Sequence, residues 1–93
     1  MYLVGIEVNI RFQYVGSLKD KRRIVKSILD TTRHKYQIST AEVDHHDSLQ
    51  EAALGFGMVT NNLQHAEGIL QKVINYIDTQ SEVEIFNIDW IEA

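Results

Sequence analysis

The sequence predicts an α+β domain with the element order β-α-β-β-α-β, and three observations carry that prediction. Residues 3–14 and 50–61 alternate apolar and polar side chains, the period of a strand with one buried face. Residues 17–35, and a second stretch ending at Ile77, instead space their apolar residues three and four apart, as a helix lying on a core does. No linker, low-complexity segment or further repeat divides the 93 residues, so one domain spanning 1–93 is expected.

In the first strand Val4, Ile6, Val8, Ile10, Phe12 and Tyr14 share one face, opposite Gly5, Glu7, Asn9, Arg11 and Gln13. Val15-Gly16 ends the alternation, and Gly16 is the expected turn residue. Ser17 stands at the N-cap of the first helix with Asp20 three residues on, close to a capping box and favourable to the helix dipole. At 100° per residue Leu18, Val25, Ile28, Leu29 and Thr32 fall within an arc of roughly 100° that packs on the sheet. Lys21 falls inside that arc, and its stem is expected to run along the apolar surface to the edge. Residues 36–44 read as an edge strand with weak alternation, followed by the polar connector His45-His46-Asp47-Ser48. In the third strand Leu54, Phe56 and Met58 oppose Ala53, Gly55, Gly57 and Val59. Asn61 or Asn62 caps the second helix, whose inward positions are Leu63, Ala66, Leu70, Val73, Ile74 and Ile77. After a turn at 78–81, Val83 to Ile91 form the last strand.

This order is best satisfied by a ferredoxin-like fold: a four-stranded antiparallel sheet with both helices on one face and the other face open. The first and third strands are then central. Gly5, Glu7, Asn9 and Arg11 lie on the open face beside Gly55 and Gly57.

Composition narrows the function classes. The chain has no cysteine, which excludes disulfides, thiolate metal sites and a Cys nucleophile. Its N-terminus lacks the layout of a signal peptide, and no run approaches the ~18–20 apolar residues of a membrane span, so a cytoplasmic protein without membrane attachment is expected. Net charge is −4, yet residues 1–35 carry eight basic and three acidic side chains while the remainder carries one and ten. The positive charge concentrates on the first helix, where Lys19, Arg22, Arg23, Lys26 and Arg33 occupy one arc shared only with Asp30. Cations so arranged suit phosphates, and five of them neutralising about four or five phosphates imply a salt slope of about −3 on a single strand. The same arc also reads as an ordinary solvated helix face.

Ser17-Leu18-Lys19-Asp20-Lys21-Arg22-Arg23, Ala41-Glu42-Val43-Asp44-His45 with Asp47, and Leu54-Gly55 together resemble the YlxP-like family of small bacterial proteins. The similarity runs over nearly the whole chain. It implies a ferredoxin-like fold and no established activity. Family members are often encoded beside translation initiation and ribosome-maturation factors, which implies a role near RNA or the ribosome. The chain departs from the family pattern after the His-Asp motif, with His46 in place of a glutamine, Leu49 of an aromatic residue and Glu51 of a basic one.

Other constellations point elsewhere. Residues 54–61 resemble the third-strand motif of RNA-recognition domains, but Leu54, Met58 and Asn61 replace its basic and aromatic positions, and Glu7 and Asn9 offer no ring on the first strand. Asp44-His45-His46-Asp47 presents carboxylates and imidazoles suited to zinc or manganese, with Asp44, His45 and Asp47 the candidate ligands. Adjacent residues on an extended chain diverge, however, and His34 and His65 belong to separate helices. A polar loop whose aspartates hold the turn backbone accounts for the same residues. His45 with Asp47 also forms an acid–base pair on paper. No nucleophile, oxyanion donor or cofactor-binding loop accompanies it, and no cofactor is expected. The leading expectation is therefore a non-enzymatic binding protein that attaches to RNA or the ribosome through its basic first helix. The alternatives are a homodimer or other homo-oligomeric interaction module using the open sheet face or an edge strand, and a metal-dependent enzyme centred on residues 44–47.

Overall fold

In the computed structural model, which describes residues 1–93, the chain runs β1 (Tyr2–Phe12), α1 (Leu18–Tyr36), β2 (Ser39–Asp44), β3 (Glu51–Thr60), α2 (Leu63–Asp78) and β4 (Val83–Glu92). The strands form one sheet in the order β2-β3-β1-β4, every neighbouring pair antiparallel. This is the ferredoxin-like arrangement, with β1 and β3 central, β2 at an edge and two helices over the sheet.

The core follows the two periodicities. Val4, Ile6, Val8 and Ile10 of β1 and Leu54 and Phe56 of β3 are buried against Ala66, Leu70, Val73, Ile74 and Ile77 of α2. Each fully buried aliphatic side chain contributes roughly 1.5–3 kcal/mol relative to exposure. Helix α1 buries Val25, Ile28 and Leu29, and also Ile24, which lies outside the 100° stripe. The wider buried face is what a helix wedged between β2 and a second helix requires. Thr32, also buried, donates its hydroxyl back to the carbonyls of Ile28 (2.8 Å) and Leu29 (3.1 Å). Thr40 ties β2 to the same helix by donating to the Leu29 carbonyl at 3.2 Å.

Both N-caps are as the sequence implies. Ser17 Oγ accepts from the Asp20 amide at 3.1 Å, and Asn62, rather than Asn61, accepts from His65 at 3.2 Å. Three boundaries differ from the sequence reading. Helix α1 runs through Tyr36 and closes on Gln37 in the left-handed region (φ 53°), whose amide donates to Arg33 O, so β2 starts only at Ser39. The extended-looking residues 36–38 are thus a helix end, with Ile38 turned into the core. Strand β1 stops at Phe12, so Tyr14 does not continue the buried row and is fully exposed. Tyr14 also takes the turn's left-handed conformation (φ 62°), and Gly16 does not. No helix is long and apolar enough to cross a membrane.

Candidate functional site

The N-cap at Ser17 sets the phase of α1, and its buried stripe then turns Lys19, Arg22, Arg23, Lys26 and Arg33 outward, all exposed. The structure divides these five into two groups. Lys26 Nζ sits 2.6 Å from Asp30 Oδ2, and Arg33 Nη1 sits 3.0 Å from Asp30 Oδ1. A second Arg33 nitrogen donates to Thr40 O at 3.3 Å. The hydrogen bond from Lys26, aided by the nearby charges of Lys26, Arg33 and His34 and opposed by partial desolvation, holds the Asp30 carboxyl below its ordinary range. In the C-terminal part of the arc two cations therefore share one carboxylate within the helix, leaving a net charge of +1. Lys19, Arg22 and Arg23, one turn nearer the N-terminus, have no carboxylate within 4.0 Å.

Lys21 departs from the expectation that it reaches the edge. It is fully buried, and its ammonium donates to the His45 carbonyl at 2.6 Å, 3.3 Å from Glu42 Oε2 and over the Phe12 ring at 5.8 Å. The direction is dictated by partners: Glu42 pairs in register with the core residue Leu54, so its side chain points to the helix side of the sheet. The Glu42 contact is an ion pair without hydrogen-bond alignment, since Oε2 has no hydrogen-bond donor. One buried cation thus pins β2 and the β2–β3 connector to α1. A lysine inside an apolar helical arc and a lone acid on the inward face of an edge strand were the signals for this contact.

The connector is built around that anchor. His45 adopts φ 62°, its amide donates to Asp44 Oδ1 (2.7 Å), and its carbonyl accepts from Ser48 N (3.0 Å) as well as from Lys21. His46 Nε2 lies 3.1 Å from Glu42 O, and Ser48 Oγ accepts from the Gln50 and Glu51 amides. Asp44 and His46 therefore hold loop backbone. No three of the chain's His, Asp and Glu side chains converge as a metal site requires, so Asp44, His45 and Asp47 are neighbours without being a ligand set.

The open face is less uniformly polar than its central residues imply. At one end Asn9 donates to Glu7 (3.3 Å), Asn87 to Asp89 (3.1 Å), and Arg11 lies 3.8 Å from Glu51 and 4.1 Å over the Phe86 ring. At the other, Leu3, Val59 and Ile91 are about half exposed around the Gly5–Gly57 pair, and Val43 leans over Gly55. A Cβ at Gly5 would meet the Phe56 carbonyl oxygen at 2.9 Å, so the strands require glycine there. Phe86, beneath Arg11, lies on the edge strand β4, and β1 and β3 present no ring to this face, which leaves the sheet-stacking mode of RNA-recognition domains without a platform.

The residues tied together by Lys21, Glu42 and His45 belong to two of the three stretches that carry the family resemblance. The family model described as "Protein of unknown function (DUF503)" matches residues 4–90. The chain is also 34% identical over 77 residues to the "Uncharacterized protein YlxP" of Bacillus subtilis strain 168, a match covering 81% of this chain and 84% of that protein. With sequence similarity over most of both chains, this chain belongs to the YlxP-like DUF503 family.

Proposed function

We propose that the chain is a non-enzymatic, cytoplasmic binding module that attaches to RNA or to a ribosomal surface through the N-terminal half of α1. The observation that carries this reading is the trio Lys19, Arg22 and Arg23: exposed, without acidic partners, and displayed on a helix anchored from beneath by Lys21. On a protein of net charge −4, three free cations on one patch form a local attractive surface for a polyanion, while the acidic remainder orients that polyanion away from the rest. The test is co-sedimentation with ribosomal subunits across a salt series, comparing the wild type with Lys19→Glu/Arg22→Glu/Arg23→Glu. The expected result is salt-sensitive binding that the triple variant loses. Equal retention of the two proteins at low salt would remove the basis of the proposal.

A second reading rests on the apolar end of the open face, where Leu3, Val59 and Ile91 are exposed together around paired glycines. A second copy meeting that end would bury them in a symmetric contact. Light scattering is expected to report a dimer that Val59→Glu converts to monomer. A monomeric wild type at high micromolar concentration rejects this reading and leaves the basic trio untouched.

A further inference from the structure

We infer that the cleft beside Tyr14 seats one unpaired nucleobase of single-stranded RNA, stacked on the Tyr14 ring, an inference that rests on the RNA reading above and specifies its substrate class. Tyr14 is the residue least explained by folding. Its ring is fully exposed, so it adds nothing to the core. Its backbone holds φ 62°, a left-handed conformation uncommon for a bulky side chain, although Gly16 stands two residues away. A strained backbone that presents an aromatic ring to solvent is unexplained by packing and is accounted for by a ligand that uses the ring.

The surroundings specify that ligand. Tyr14 lines a cleft of about 390 Å³ together with Gln13, Asp20, Arg23, Ser81 and Glu82, within the ~300–1,000 Å³ range of small-ligand sites. The backbone on two sides of the cleft is held in place. The backbone amide of Gln13 donates to Glu82 O at 3.0 Å, which holds the α2–β4 turn against the end of β1, and the Ser17 cap fixes the Asp20 backbone. Asp20 and Glu82 exclude a phosphate from the cleft but accept hydrogen bonds from a base edge. Arg23 lines the same cleft and belongs to the unpaired trio with Lys19 and Arg22, so the phosphates flanking a seated base run along that trio. A base in a duplex has both faces stacked and its pairing edge engaged, so only an unpaired one enters.

The experiment is fluorescence anisotropy with a labelled single-stranded RNA ten-mer and with the same ten-mer annealed to its complement. It compares the wild type, Tyr14→Phe and Tyr14→Ala, with circular dichroism confirming that each is folded. Tyr14→Ala is expected to weaken single-strand binding about 5- to 100-fold, the range for loss of one base–aromatic stack. Tyr14→Phe should stay within about twofold of wild type, because a phenyl ring still stacks. Duplex binding should be the same for all three. Wild-type affinity for the single strand in Tyr14→Ala, or an equal loss on the duplex, overturns the stacking site. In that case, continued loss of binding in the Lys19/Arg22/Arg23 charge reversal shows that the attachment reading survives it. A wild type that binds neither RNA ends both.

Discussion

Replacing Lys21 with Met is expected to destabilise the fold by about 3–5 kcal/mol, the usual consequence of removing one partner of a buried ion pair. The side chain is nearly isosteric, so the loss comes from charge and hydrogen bonding more than from a cavity. What remains is a Glu42 carboxylate whose side chain is only 15% exposed and which has no other cation or donor nearby. The His45 carbonyl also loses its 2.6 Å donor, although it keeps the Ser48 amide. For a domain of this size the melting temperature should fall by roughly 12 °C or more. Amide exchange at Ser48 should quicken, because the connector has lost its tether to α1. The double variant Lys21→Met/Glu42→Leu is the informative control. It replaces both charges with apolar groups, and such replacements are often neutral or stabilising. It is expected to recover most of the lost stability in denaturant titrations, giving a large non-additive coupling. A single variant within about 0.5 kcal/mol of wild type would show that the pair is not structurally important.

Lys21 also marks where the sequence stops being readable. Period-two alternation placed Val4 to Ile10 and Leu54 to Phe56 correctly because one buried face of a central strand constrains every second residue. The same rule carried past Phe12 put Tyr14 in the core. The strand's end is determined by contacts from distant segments, Gln50 and Glu82, which accept from the Phe12 and Gln13 amides. A helical wheel showed that Lys21 lies among apolar residues, but not that Glu42 and the His45 carbonyl would meet it there, since both belong to other elements. Gln37 was hidden for a related reason: its left-handed cap is a local conformation that β-forming neighbours disguised. The division of the basic arc was legible. Lys26 and Asp30 are four residues apart and Arg33 follows three later, the spacings at which helical side chains meet. The apolar end of the open face was half visible: Gly5 and Gly57 stood out, but Leu3, Val59 and Ile91 gather around them only once the register is set.

That division makes Asp30→Asn the sharpest test of the basic helix, because it should strengthen binding where most substitutions weaken it. Asp30 occupies both Lys26 and Arg33 with one carboxylate. Its pKa lies below the ordinary value in the folded protein. The pairing therefore persists throughout neutral pH, and is lost only as pH falls through that lowered value. Removing the carboxylate charge at pH 7 frees two cations beside three that are already free. If three neutralise phosphates in the wild type, the logarithm of affinity for single-stranded RNA should fall with a slope of about −2 against the logarithm of salt concentration. With five the slope becomes about −3.5, so affinity at low salt rises while the two proteins converge as salt increases. Between 50 and 200 mM salt the wild type should weaken about 20-fold and Asp30→Asn about 100-fold. Lys26→Gln/Asp30→Asn/Arg33→Gln, which removes the carboxylate together with both cations, should keep a slope of about −2, because the trio alone then contacts phosphate. An unchanged slope in Asp30→Asn alongside binding that still depends on Lys19, Arg22 and Arg23 would confine the contact to the first turns of α1. A slope near −3.5 in the wild type would instead mean that RNA competes successfully with Asp30 for Lys26 and Arg33, and that the whole arc engages phosphate.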